Sequence, residues 1–210
     1  MQTITQNDIF PLLDAASQIM QQNRDFLIDL DGKVGDGDLG LTMTKAFAAA
    51  AEYASANPGV PGAVLMRSGM AIAKAAPSTM GTLMATGFMR GGKALGDTAE
   101  LGTGEYLTFW QAFLQGLMER GKAQRNDKTL IDALAPAVDA LEAASAGGLS
   151  LEEAAKAALA GAEQGLENTK NMVAKHGKAA CFGEKGLGLQ DAGATVIVLL
   201  MRSWTDLICA

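Results

Sequence analysis

Three carboxylates crowd into the stretch Asp31-Gly-Lys-Val-Gly-Asp36-Gly-Asp38. Like charges held this close repel and raise one another's pKa, and such a trio persists where a cation offsets the repulsion. Gly35 and Gly37 free the backbone to fold the three side chains toward one point, and an all-oxygen donor set suits Mg2+ or Ca2+ rather than zinc. The EF-hand pattern does not fit: counting from Asp29 or Asp31 places Lys33 or Gly35 at a ligand position and no Glu at the twelfth. A carboxylate-bound Mg2+ with open positions commonly bridges to phosphate oxygens, so a nucleotide is the expected ligand. On local sequence alone, water-exposed turn and capping aspartates remain the competing account.

The elements that must position this trio are helices. The 210 residues are 49% apolar, 19% charged and 5% aromatic. Ala, Leu, Met, Glu and Lys dominate while alternation of period two is scarce, which predicts one all-α domain over residues 1–210. Periodicity and punctuation predict eight helices, approximately Asn7 to Asp29, Leu41 to Ala54, Gly62 to Ala75, Met80 to Leu95, Thr103 to Gly121, Leu130 to Ala144, Ser150 to Val173 and Ala192 to Ile208. Ser150 with Glu153 forms a capping box, and Pro136 should kink the sixth segment or mark its true start. Faces rich in Ala and Gly allow close helix packing, so a bundle or barrel is the natural architecture. The unusual chemistry lies in the connections, above all the Gly-rich stretch Gly177 to Gly193.

Composition also excludes. A formal charge of −6 has the wrong sign for a nucleic-acid partner. The longest apolar run, Ala192 to Met201, is about half of the roughly 20 residues a membrane span needs, and the N-terminus lacks the features of a signal peptide. Cys181 and Cys209 read as buried or inert thiols of a reducing compartment, so a cytoplasmic location is expected. Gly87 to Lys93 and Gly116 to Lys122 match GxxxxGK, but each continues with Ala where a phosphate loop needs Ser or Thr, and neither follows a strand. Gly35 to Gly40 matches GxGxxG yet puts two carboxylates where a pyrophosphate would approach. Two helix starts, Gly40-Leu41-Thr42 and Ser78-Thr79-Met80-Gly81, offer unpaired N–H groups to an anion, though each reads equally well as a plain N-cap.

Four blocks in order, Leu30 to Met43, Met80 to Arg90, Arg120 to Pro136 and His176 to Thr195, resemble the nucleotide-binding L subunits of dihydroxyacetone kinases, which also occur as a domain of single-chain ATP-dependent kinases. The resemblance spans nearly the whole chain. It implies an antiparallel barrel of eight helices with the nucleotide at one end, and Asp31, Asp36 and Asp38 as ligands of two Mg2+ that hold the phosphates of ADP or ATP. It further implies that Leu39, Gly40, Leu41 and Thr42, with Ser78, Thr79, Met80 and Gly81, approach phosphates or ribose. Gly121 and Leu130 would line the adenine pocket, and Lys178 with Asp191, Ala192 and Gly193 would close over the nucleotide. Lys128 and Thr129 lie in a matching motif whose role, ligand contact or loop structure, stays open.

The resemblance implies a phosphotransferase subunit of glycerol metabolism, inactive alone, that presents a nucleotide phosphate to a small ketose held by a partner K-type subunit. A phosphohistidine phosphotransferase protein would recharge retained ADP, or ATP would exchange; a homodimer is compatible. The alternative is a nucleotide-binding regulatory module that engages a transcriptional regulator without supporting transfer. No catalytic side chain is expected in this chain, and His176 reads as a surface loop residue. Departures from the family pattern are Leu39 in place of its usual His, Pro77-Ser78-Thr79-Met80-Gly81 in place of Gly-Gly-Ala-Ser-Gly, Lys178 in place of Arg, and Ala192 in place of Pro. They imply a divergent member that holds its nucleotide less tightly.

Overall fold

Helices begin where a side chain can satisfy their orphan amides. Thr5 and Asp8 cap α1 (Gln6–Gln22) reciprocally, and Ser150 and Glu153 do the same for α8 (Leu151–Asn168). Between them run α2 (Arg24–Gly32), α3 (Leu39–Ala56), α4 (Pro61–Ala75), α5 (Thr79–Leu95), α6 (Thr103–Gly121) and α7 (Ile131–Ala146), and α9 (Ala192–Ile208) ends the series. These elements come from a computed structural model that describes residues 1–210.

Packing closes a ring of eight: α1 lies against α3, then each of α3 to α9 against its successor, and α9 returns to α1, while α2 packs chiefly on α3. The starts of α3, α5 and α9 share one end of the ring with Gly121, the last residue of α6. The starts of α1 and α4 meet the end of α3 at the other. Neighbouring helices in the ring therefore run antiparallel, as expected of short connections.

Three expectations need correction. The first segment is two helices, because Asn23 (φ −99°, ψ 11°) leaves the helical path and its Nδ2 donates to the Ile19 carbonyl. Pro136 lies inside α7, five residues past its first residue Ile131, and so does not mark the helix start. The seventh segment stops at Asn168, followed by 3-10 turns at Thr169–Asn171 and Lys178–Gly186, the latter bent at Gly183 (φ 52°).

The interior holds an aromatic cluster. Phe88 stands edge-on to Phe47, Phe113 and Trp204 with centroids 6.0, 5.4 and 6.2 Å away. Room for the rings comes from glycine: a Cβ on Gly87 or Gly91 of α5 would lie 2.4 Å from Phe113 or 2.6 Å from Phe109 of α6. The Gly87 to Lys93 match is thus a helix-packing surface. No helix is long and apolar enough to cross a membrane. Cys181 is exposed and Cys209 half-buried, and both are free thiols.

Candidate functional site

The carboxylates of Asp31, Asp36 and Asp38 converge until one oxygen from each lies within 4.8 Å of the others. Asp31 sits in the last turn of α2, Asp36 in the turn that follows, and Asp38 immediately before α3. The turn can close this tightly because Gly37 takes a left-handed φ of 69° and because Gly35 has no side chain. A Cβ on Gly35 would stand 2.4 Å from Asp31 Oδ1. The Asp38 amide donates to Asp31 Oδ2 at 3.2 Å, fixing the two ends of the turn together.

Burial raises the Asp31 carboxyl above its ordinary value, the amide of Leu39 opposing the shift and the Asp36 charge adding to it. Asp36 moves the other way, lowered chiefly by its contact with Lys178 Nζ, which reaches across from the Gly-rich segment. The cation that contacts the trio is thus an exposed lysine head, and three oxygens at this spacing fit a hard divalent ion of the Mg2+ class.

The trio forms one wall of a cleft of about 460 Å³. Leu39, Ser78 to Met80 and Asp191 to Gly193 form others, so the N-termini of α3, α5 and α9 converge on the same space as the carboxylates. Ser78 Oγ accepts from the Gly81 amide at 3.0 Å and Asp191 Oδ1 from the Ala194 amide at 2.7 Å. The Gly193 amide also bonds the Asp191 carboxylate, and the first-turn amides of Thr79, Met80 and Ala192 are left to meet an anion, with the helix dipoles adding to the attraction. Burial pushes the Asp191 carboxyl up to about 7, its capping bond to Ala194 opposing the rise.

The expected nucleotide residues divide. Leu39, Ser78, Thr79, Met80, Lys178, Asp191, Ala192 and Gly193 all line the cleft with the three carboxylates. Gly121 lines a neighbouring recess with Arg120 and Thr82, joined to the cleft through Ser78, Thr79 and Leu83. Leu130 is buried behind Gly193, 3.4 Å from where a Cβ on that glycine would be. Gly40, Leu41, Thr42 and Gly81 do not line the cleft. Gly40 admits α2, its absent Cβ otherwise 2.1 Å from the Arg24 carbonyl, and Gly81 likewise admits the Ala76 carbonyl at 2.0 Å. Leu41 is exposed, and the Thr42 amide bonds the Asp38 carbonyl.

Sequence reasoning passed over Val34, Leu83, Gly177 and Ala179, all of which line the cleft. His176, read as a surface loop residue, is a partly exposed loop residue that also lines the cleft, with its Nε2 3.1 Å from Asp127 Oδ2. Its place beside Gly177 and Lys178 was the available signal, but nothing in the sequence paired it with Asp127. Lys128 and Thr129, whose role the motif left open, stay outside the cleft, and both make bonds within the protein.

A family model described as the DAK2 domain matches residues 33–206, with Asp36 and Asp38 inside it and Asp31 just ahead. The ADP-binding subunit DhaL of the PEP-dependent dihydroxyacetone kinase of Escherichia coli (strain K12) is 31% identical over 202 residues, 95% of this chain and 96% of that one. The L-erythrulose kinase of Pectobacterium atrosepticum is 33% identical over 192 residues, 90% of this chain but only 32% of that longer protein. The crystal structure of the native dihydroxyacetone kinase of C. freundii superposes with a TM-score of 0.73 at 24% identity, covering 94% of this chain and 34% of that one. The chain thus spans a stand-alone subunit nearly end to end and about a third of the longer kinases, and it belongs to the DAK2 domain family, whose matched members are kinases or kinase subunits.

Proposed function

We propose that this chain is a nucleotide-binding kinase subunit that holds Mg2+-ADP or Mg2+-ATP in the cleft and presents a phosphoryl group to a small ketose carried by a K-type partner. The observation that carries the reading is the convergence of three carboxylates and three helix N-termini on one space. The carboxylates attract cations and the helix ends attract anions, and a metal–polyphosphate complex is the ligand that satisfies both. Two relatives lend support by what they are: the E. coli subunit is described as ADP-binding, and a C. freundii kinase of the same fold was solved with AMP-PNP and Mg2+, at 23% identity and a TM-score of 0.72.

Asp31, Asp36 and Asp38 would hold two Mg2+, which supply charge neutralisation for the phosphates when bound. Asp31, set by the α2 end and the Gly35 gap, fixes the metal position, and the Asp38 amide keeps it aimed. Amides at the starts of α5 and α9 orient the phosphates, and the recess by Gly121, with Leu130 behind Gly193, receives the base. Lys178 releases Asp36 as metal enters and turns its charge to the phosphates. In this reading the chain contributes positioning and charge, and the ketose is held by the partner.

The E. coli relative, described as the ADP-binding subunit of a PEP-dependent kinase, favours ADP retained as a cofactor and recharged in place by a phosphohistidine protein. Mass spectrometry of the purified chain under native conditions should then show ADP carried through gel filtration. Reconstitution with a K-type subunit, a phosphoryl donor and dihydroxyacetone or erythrulose should yield the phosphorylated ketose. Tight nucleotide binding with no transfer in any such mixture would instead establish a regulatory module.

A further inference from the structure

The segment from Met172 to Leu189 carries His176, Gly177, Lys178 and Ala179 to the cleft, yet almost nothing apolar holds it down. Its only buried residues are Ala174 and Gly186; Val173, Phe182 and Leu187 are exposed, Met172 and Leu189 at its two ends are half-buried, and Gly177, Gly183 and Gly188 take left-handed φ. A segment so poor in apolar contacts is kept in place by polar anchors or opens freely.

Two adjacent residues of the α6–α7 connection supply those anchors. Lys128, 3% exposed and without a carboxylate partner, donates from Nζ to the carbonyls of Met172 at 3.1 Å, Gly186 at 2.8 Å and Leu189 at 2.8 Å. An ammonium has three donors and here all three are used, tying both ends of the segment to one point. Asp127, 8% exposed, takes Lys175 Nζ at 2.8 Å and faces His176 Nε2 at 3.1 Å, while its own carbonyl accepts the Lys175 amide at 3.0 Å. The Gln124 amide, 2.7 Å from the same carboxylate, holds Asp127 in place. Lys128 itself sits at a left-handed φ of 56°, a conformation a lysine adopts only when its surroundings impose it. Burying an ammonium is costly, and an apolar side chain would fill the space more cheaply. What only the ammonium can do here is gather three carbonyls.

We propose that Asp127 and Lys128 are positioning residues, a two-residue clamp that holds Met172–Leu189 as a lid over the cleft so that Lys178 and His176 face the bound phosphates. The assignment rests on the nucleotide reading above. Neither residue lines the cleft, so both act through the lid.

The test uses the full chain with Lys128→Met, Asp127→Asn and Lys175→Met, the last an exposed lysine whose loss should spare folding. Three quantities are read: amide exchange without nucleotide, Mg2+-ADP binding by calorimetry, and Mn2+ binding to the trio alone. In Lys128→Met, exchange across 172–189 should quicken at least ~10-fold while α1 and α9 stay as in wild type. The Mg2+-ADP dissociation constant should rise ~10-fold or more. Mn2+ affinity should hold or rise, because an opened lid takes Lys178 off Asp36, whereas a general loss of structure would lower it. Asp127→Asn and Lys175→Met should follow with successively smaller effects, and Lys175→Met carries the test if Lys128→Met does not fold. Unchanged exchange in 172–189 overturns the clamp. Faster exchange with unchanged Mg2+-ADP affinity overturns the positioning role. Wild-type protein that fails to bind Mg2+-ADP overturns the nucleotide reading and the lid's role with it, and the exchange data still decide the clamp on their own.

Discussion

Around Phe88 the chain is held by rings meeting edge to face and by glycines that let α5 approach α6, and water has no access. At the cleft end, 172–189 hangs from one ammonium and one carboxylate, and three aspartates share a turn held open by glycine. The first region is stabilised by burial, which is non-directional and tolerant of where each atom lies. The second depends on directional polar bonds among groups that lose water to make them. The difference separates two kinds of damage: changes in the ring cluster should alter how much protein is folded, and changes at the cleft should alter what the folded protein holds.

The largest effect should come from Phe88→Ala, which removes a ring fully buried among Phe47, Phe109, Phe113 and Trp204. A loss of about 3–5 kcal/mol in urea unfolding is expected. Mg2+-ADP affinity, measured well below the unfolding transition, should not change; a parallel fall in affinity would erase the separation of the two regions.

Next comes a pH effect confined to the cleft end. Asp191 is raised from 3.8 to about 7, so between those values the folded protein keeps a proton that the unfolded chain releases. Its stabilising contribution is full below pH ~4 and is lost as pH rises through ~7, on the order of a few kcal/mol. Asp127, lowered from 3.8 to about 2 chiefly by Lys175, has the opposite sign: its contribution is present above pH ~4 and is lost as pH falls through ~2. Urea midpoints across pH 4–8 should decline less steeply in Asp191→Asn, a substitution that keeps an N-cap, than in wild type. Parallel slopes would remove Asp191 from the account.

Gly87→Ala is the smallest of the three on stability, since one methyl must displace the Phe113 ring it would meet at 2.4 Å. About 1–3 kcal/mol of overpacking is expected, again without effect on nucleotide affinity.

These regions were also unequally legible. Helix periodicity and the Ser150–Glu153 box located the ring of helices, because both signals are local. Asn23 went unread as a break because the Asn7 to Asp29 pattern runs across it, and only the path of the backbone there separates α1 from α2. The convergence of the three carboxylates was visible because they are close in sequence and their glycines have one evident use. Asp127 and Lys128 were not, since their partners lie 44 to 61 residues away and carbonyl oxygens leave no trace in a sequence. Gly40 and Gly81 showed the converse hazard: glycine at a helix start suits an approaching phosphate and an approaching backbone equally, and here the Arg24 and Ala76 carbonyls occupy the space.

Calorimetric titration of ADP into wild type and Asp36→Asn, each with Mg2+ and with EDTA, tests the metal-dependent site most directly. ADP should bind wild type only with Mg2+, and Asp36→Asn should lose that binding while melting close to wild type without ligand, as expected for an exposed carboxylate. Equal ADP binding with and without metal, or undiminished binding in Asp36→Asn, would contradict the account.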